Sequence, residues 1–167
     1  MNSKRLQVAG VPSVLVFADS VEAAVQRGTI LFYHGLGVSK LAHLPELRRL
    51  ARAGFLAIGL DNVGHGERRY PDYEDRFSPP RSDAAFFEVV RETAAEVPSV
   101  LDELVRLGLA QNDRLGVGGI SLGGYIAYGA VLADRRLRVA TPVIGSPVWN
   151  GCSAHSLALL FGGKGIA

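Results

Sequence analysis

The stretch Arg114–Tyr128, RLGVGGISLGGYIAY, decides the fold. It opens as an apolar strand, Leu115 to Gly118, and continues as a small-residue helix from Ser121 to Asp134. Between them lies Gly119-Ile120-Ser121-Leu122-Gly123, a G-x-S-x-G pattern in the context strand, tight turn, helix. Such a turn lifts Ser121 out of the sheet at the start of a helix. The flanking glycines let two backbones pass where a side chain would clash. The structural alternative is a close-packed strand-to-helix crossing with no chemistry, since the pattern alone also arises by chance.

Working outward, the neighbouring segments alternate between strand and helix. Thr29–Tyr33 is a continuous apolar run, as expected for a strand buried on both faces of a parallel sheet. Leu41–Ala53 reads as a helix with Leu44, Leu47, Leu50 and Ala51 on one side, provided Pro45 lies in its first turn. Phe55–Leu60 is the next buried strand and ends at Asp61. Asp83–Leu107 is one amphipathic helix or two, with Pro98 able to divide it near residue 97. Val139–Ile144 is a further strand, placed at an edge because Pro142 cannot donate to a ladder. Before these, Leu6–Ala9 and Val14–Phe17 form an opening hairpin or two adjacent strands, and Asp19–Gln26 a short turn or helical piece.

This βα alternation predicts an α/β three-layer sandwich with a mostly parallel sheet and helices on both faces. The expected organisation is one domain over residues 1–167. The 167 residues are 48% hydrophobic and 20% charged, which suits a folded globule, and the net charge is only +2. Without a basic field or an aromatic-interleaved basic stripe, nucleic acid is not an expected partner. A lone cysteine, Cys152, excludes an intrachain disulfide. No signal peptide or membrane-length apolar run is read, so a cytoplasmic location without membrane contact is expected.

His34, Asp61, Ser121 and Ser146 each fall at or just after a strand's carboxyl end, where ligands bind in such sheets. Ser121 is the nucleophile candidate, needing a base to take its proton and a third group to orient that base. The Leu122 N–H, at a helix start, and the Leu36 N–H, in His34-Gly35-Leu36-Gly37, are the candidate oxyanion donors. His34 is read as fixing the glycine loop by hydrogen bonds in preference to acting as base. Asp61 is read first as a carboxylate holding the 62–66 turn. His65, between Gly64 and Gly66, is a loop anchor or a substrate-side group. It lacks the spacing of a metal ligand. The irregular, Tyr-bearing segment 62–80 is long enough to suspect that it covers a site. A phosphate-binding loop is disfavoured because GVGGISLGG has no lysine.

Several motifs in order make the chain resemble the α/β-hydrolase superfamily, particularly its small serine esterases and peptidase-like hydrolases, over about residues 5 to 148. HGLG is similar to the family's loop after strand three. DNVGHG is similar to the segment after strand four, GISLG to the nucleophile elbow after strand five, and GSP to the end of strand six. The resemblance implies hydrolysis of carboxylic esters through an acyl-enzyme, with Ser121 as nucleophile, Leu36 and Leu122 as oxyanion donors, and no cofactor or metal. It also implies an acid after strand seven and a histidine after strand eight. No Asp or Glu follows Asp134, and the last histidine is His155.

Three arrangements therefore stand open. The domain lacks its last two strands and its triad; or His155 is the base, with Asp61 or another rim acid orienting it; or a further C-terminal part or another chain completes the site. The expected substrate is a small uncharged acyl ester. The rival function is a non-catalytic α/β-hydrolase-like module. Strand 139–144 at an open edge is expected to be covered by a homodimer partner or by residues 157–161.

Overall fold

The computed structural model describes residues 1–147. Its sheet has six strands among the described residues, in the order β1-β2-β4-β3-β5-β6. β1 (Asn2–Val8) and β2 (Val11–Phe17) form an antiparallel hairpin, and β2 pairs antiparallel with β4 (Leu56–Leu60). β3 (Thr29–Tyr33), at the centre, runs parallel to β4 and to β5 (Leu115–Ile120). β5 in turn runs parallel to β6 (Leu137–Val143). The predicted mostly parallel α/β sandwich is therefore the observed architecture, and its strand order and flanking helices are α/β-hydrolase-like.

Helices cover the two faces unequally. α2 (Leu44–Arg52) lies on one face, where Leu47 and Ala51 pack against Val14, Val16, Phe32 and Ala57. The other face carries the larger core. There α4 (Ser82–Ala95), α5 (Val97–Arg106) and α6 (Leu122–Ala133) bury Val89, Leu101, Leu104 and Ile126 against Leu31, Ile58 and Val117. A leucine or isoleucine fully removed from water contributes about 1.5–3 kcal/mol. The short α1 (Val21–Arg27) joins this cluster through Ala24 and Val25. It is capped by Ser20, whose hydroxyl accepts the Ala23 N–H at 3.1 Å.

Several boundaries differ from expectation for local reasons. β1 and β2 run longer than Leu6–Ala9 and Val14–Phe17, because the turn is only Ala9-Gly10. Both residues have positive φ, 49° and 79°. That matches the twist of a tight hairpin, so Pro12 becomes a strand residue opposite Gln7. The second helix begins at Leu44 instead of Leu41, which puts Pro45 in the first turn, where its missing N–H costs nothing. The Asp83–Leu107 pattern is two helices, with Pro98 in the first turn of the second. Segment 62–80, expected to be irregular, contains a 3-10 turn at Gly66–Arg68 and the short helix α3 (Tyr73–Arg76).

Among the described residues β6 is the outer strand, as its proline implied. It begins at Leu137, two residues before the expected start. Leu137 is buried in the core, but Val139 is exposed by 61% and Val143 by 46%, followed by Ile144 at 77%. Among the described residues, no helix is long and apolar enough to cross a membrane.

Candidate functional site

Ser121 stands where β5 hands over to α6, with φ 57° and ψ −118°. A non-glycine residue in that region costs on the order of 1–3 kcal/mol and persists only where its surroundings fix it. Here they do. The Ser121 N–H donates to the Val143 carbonyl at 2.8 Å, and the Ser121 carbonyl accepts from Gly124 at 2.8 Å and Tyr125 at 3.2 Å. The hydroxyl does not cap α6, so it is not consumed by the helix it begins.

The approach of other chain segments to this turn is set by glycine. A Cβ on Gly123 would lie 2.0 Å from the Tyr33 carbonyl oxygen, so α6 can sit against the end of β3 only without a side chain there. A Cβ on Gly35 would lie 3.8 Å from the Ser121 Cβ, which places the loop after β3 directly beside the serine. Leu122, at the first position of α6, is fully buried by its side chain, whereas Leu36 is 42% exposed. The ends of β3, β5 and β6 thus meet around Ser121.

The histidines have other engagements. His34 is 1% exposed, and its Nε2 accepts the Asn62 N–H at 3.1 Å. A backbone N–H can only donate, so the neutral ring carries its proton on Nδ1, which donates to the Gly35 carbonyl at 2.7 Å. Burial lowers the His34 pKa to about 4, outweighing the hydrogen bond to Gly35 and the nearby Asp61 charge that favour the cation. The Asn62 side-chain Nδ2 donates to the His34 carbonyl at 2.9 Å, while its Oδ1 is buried with no hydrogen-bond partner among the described residues. His65 is buried; its Nδ1 donates to the Val63 carbonyl at 2.9 Å, and its Nε2 accepts from the Tyr73 hydroxyl at 3.3 Å. Burial again lowers its pKa. His43 pairs with Glu46 along α2 at 3.4 Å. His155 lies outside the described residues.

Asp61 is fully buried, and its carboxylate is occupied. Oδ1 accepts the Lys40 N–H at 2.8 Å; Oδ2 accepts the Lys40 ammonium at 2.6 Å and the Glu67 N–H at 2.9 Å. Burial raises its pKa, but the Glu67 and Lys40 bonds outweigh burial and hold it below the usual carboxylate range. Its backbone carbonyl accepts from Arg68, which also forms a two-pronged pair with Glu96 on the α4–α5 junction. Lys40, itself buried, was not singled out in the sequence. Its local signal is faint, a single lysine between Ser39 and Leu41, and its partners lie 21 and 27 positions away.

Segment 62–80 packs onto this arrangement. Tyr73 and Phe77 stack at 4.5 Å, and both rings contact His65. Tyr73 also reaches the glycine loop, since a Cβ on Gly37 would lie 3.5 Å from its hydroxyl. Arg69 lies over the Tyr73 ring at 3.6 Å. The segment therefore borders the loop after β3.

No protein-family model matches the chain. Over 141 residues it is 26% identical to the Bacillus subtilis (strain 168) protein named "Putative esterase YitV", covering 84% of this chain and 52% of YitV. Over 117 residues it is 27% identical to Esterase YjfP of Escherichia coli (strain K12), covering 70% of this chain and 45% of YjfP. The crystal structure of TT1662 from Thermus thermophilus superposes with a TM-score of 0.67 at 26% identity, over 95% of this chain and 66% of that chain. The chain spans about half the length of the curated relatives it matches. Fold and similarity together define a chain of α/β-hydrolase-like fold related to esterases and other hydrolases.

Proposed function

We propose that the chain is a serine hydrolase acting on carboxylic esters through an acyl-enzyme. The observation that carries this reading is Ser121 at φ 57° in the turn between β5 and α6, with the glycine loop after β3 against it. Ser121 Oγ attacks the ester carbonyl carbon while its proton passes to a base. The carbonyl oxygen becomes an oxyanion held by the Leu36 and Leu122 N–H groups. The intermediate then expels the alcohol, which takes up the proton, and water releases the acid from the acyl-serine.

His34, Gly35 and His65 support the loops in this proposal. Asp61 does the same, because its oxygens already hold Lys40 and Glu67. The base is a histidine outside the described residues, and His155 is the one the sequence offers. The substrate is a small uncharged acyl ester, and two copies associate through the exposed 139–144 edge. Reaction with a fluorophosphonate tests the nucleophile: a phosphonate adduct on the peptide carrying Ser121, absent in Ser121→Ala, supports it. A folded protein that stays unlabelled sinks it. Sedimentation of Val139→Lys against the parent tests the edge, with a shift to monomer expected.

One observation favours a second reading, a non-catalytic module of the same fold. His34, His43 and His65 are each engaged with other groups. Labelling of Ser121 without turnover of any ester, in a protein that includes His155, would select this reading.

A further inference from the structure

We propose that Lys40 is a positioning residue: its buried ammonium clamps the loop after β3, which carries the Leu36 N–H, to the loop after β4. The inference rests on the ester-hydrolase reading of Ser121 and assigns that site a part beyond its nucleophile and oxyanion donors.

The loop 34–40 is tied down at its two ends. At the first end, His34 is fixed by Asn62, and Gly35 lies against Ser121. At the far end, Lys40 binds one carboxylate twice, by its N–H to Asp61 Oδ1 at 2.8 Å and by its ammonium to Asp61 Oδ2 at 2.6 Å. Between these anchors Leu36 and Val38 are each 42% exposed. The placement of the Leu36 N–H therefore depends on both ends being held.

β4 and the loop after it are shaped to receive this clamp. Gly66 has φ 59°, and a Cβ there would lie 2.2 Å from the Asp61 carboxyl carbon. A Cβ on Gly59 would lie 3.2 Å from the Lys40 carbonyl oxygen. The chain thus omits side chains around both partners. The Lys40 and Asp61 side chains are 2% and 0% exposed, whereas Glu67, the second carboxylate on the ammonium at 2.6 Å, is 54% exposed. Asp61 is the fixed half of the clamp and Glu67 an outer contact.

A buried ion pair is weak support for stability by itself, because an apolar pair of similar volume often serves as well. What it supplies here is direction: a single carboxylate reads the backbone and the side chain of the same residue. If the role is positioning, neutralising the pair should recover stability lost to the unpaired charge without restoring catalysis.

The test compares the parent, Lys40→Met, and the double variant Lys40→Met/Asp61→Asn. Three readouts are taken: hydrolysis of p-nitrophenyl acetate, fluorophosphonate labelling, and hydrogen exchange of the 35–40 peptide. Lys40→Met is expected to lower kcat roughly a hundredfold, the scale for an ångström of misplacement, with KM little changed. Exchange in 35–40 is expected to quicken. The double variant should regain part of the thermal stability and keep the low kcat: the buried unpaired charge is gone, but a carboxamide has one acceptor for the two backbone N–H groups, of Lys40 and Glu67, that the carboxylate accepts. The clamp is overturned if kcat returns together with stability, or if folded Lys40→Met keeps full kcat. If the parent itself fails to label at Ser121, the hydrolase reading falls. Exchange then decides the clamp alone: faster in Lys40→Met upholds it, unchanged overturns it.

Discussion

Two regions of the rim are closed by different forces. Around Ser121 the chain closes by omission: Gly119, Gly123 and Gly124 let backbone meet backbone with no charge involved. Around Asp61, Gly59 and Gly66 also make room, but the closure is completed by charge, with Lys40, Glu67, Arg68 and Glu96 joined in one chain of hydrogen bonds and ion pairs. The first kind of closure is steric and tolerates no change. The second is electrostatic and responds to charge, solvent and pH. Ser121 depends on the first for its own conformation and on the second for the loop beside it.

The comparison is broken most directly at Gly123. Gly123→Ala puts a methyl 2.0 Å from the Tyr33 carbonyl oxygen, with main chain on each side of the clash. The loss is expected to exceed about 4 kcal/mol, the range reserved for severe core faults, and to leave little folded protein by circular dichroism. In the charged region, Asp61→Leu leaves the Lys40 ammonium buried with only the half-exposed Glu67. Removing one partner of a buried pair costs about 3–5 kcal/mol, to be read from urea unfolding.

A smaller effect separates the two regions by pH. His34 has a folded pKa of about 4, held down chiefly by burial, so the fold keeps the ring neutral. Between its ordinary pKa of about 6.5 and 4, the unfolded chain binds the proton and the folded chain does not. The contribution of His34 is therefore complete above about pH 6.5 and is lost as pH falls through 4, amounting to about 3 kcal/mol. Urea unfolding between pH 7 and 4 should show this slope, and His34→Gln should flatten it. Asp61, with its pKa held below the ordinary carboxylate value, adds a loss at lower pH, as pH falls through its folded pKa. The least effect is expected at Glu67. Its side chain is 54% exposed, so Glu67→Gln should change stability by less than about 1 kcal/mol.

The same contrast explains what was readable beforehand. The turn at Ser121 was legible because its causes are adjacent in the chain: an apolar run, five residues of G-x-S-x-G, and small residues after it. The outer position of β6 among the described residues was legible from Pro142. The length of the first hairpin was not, because Ala9 adopts φ 49°, a conformation its residue type does not announce. The start of α2 was misplaced by three residues, although Pro45 carried the rule that corrects it. His34 and Asp61 were visible as rim residues, but their partners were not. Lys40 lies 21 positions from Asp61, and Arg68 lies 28 from Glu96.

By itself the sequence determined the alternation of strands and helices, the turn that carries Ser121, and the glycines that let neighbouring loops approach it. These follow from local sterics and hydrophobic periodicity, which act between residues close in the chain. The tertiary structure alone decided that Lys40 is buried on Asp61, that the proton of His34 sits on Nδ1, and that α2 lies on one face while α4, α5 and α6 cover the other. Charge pairing and burial act through space, and only the folded chain brings their partners within hydrogen-bonding distance.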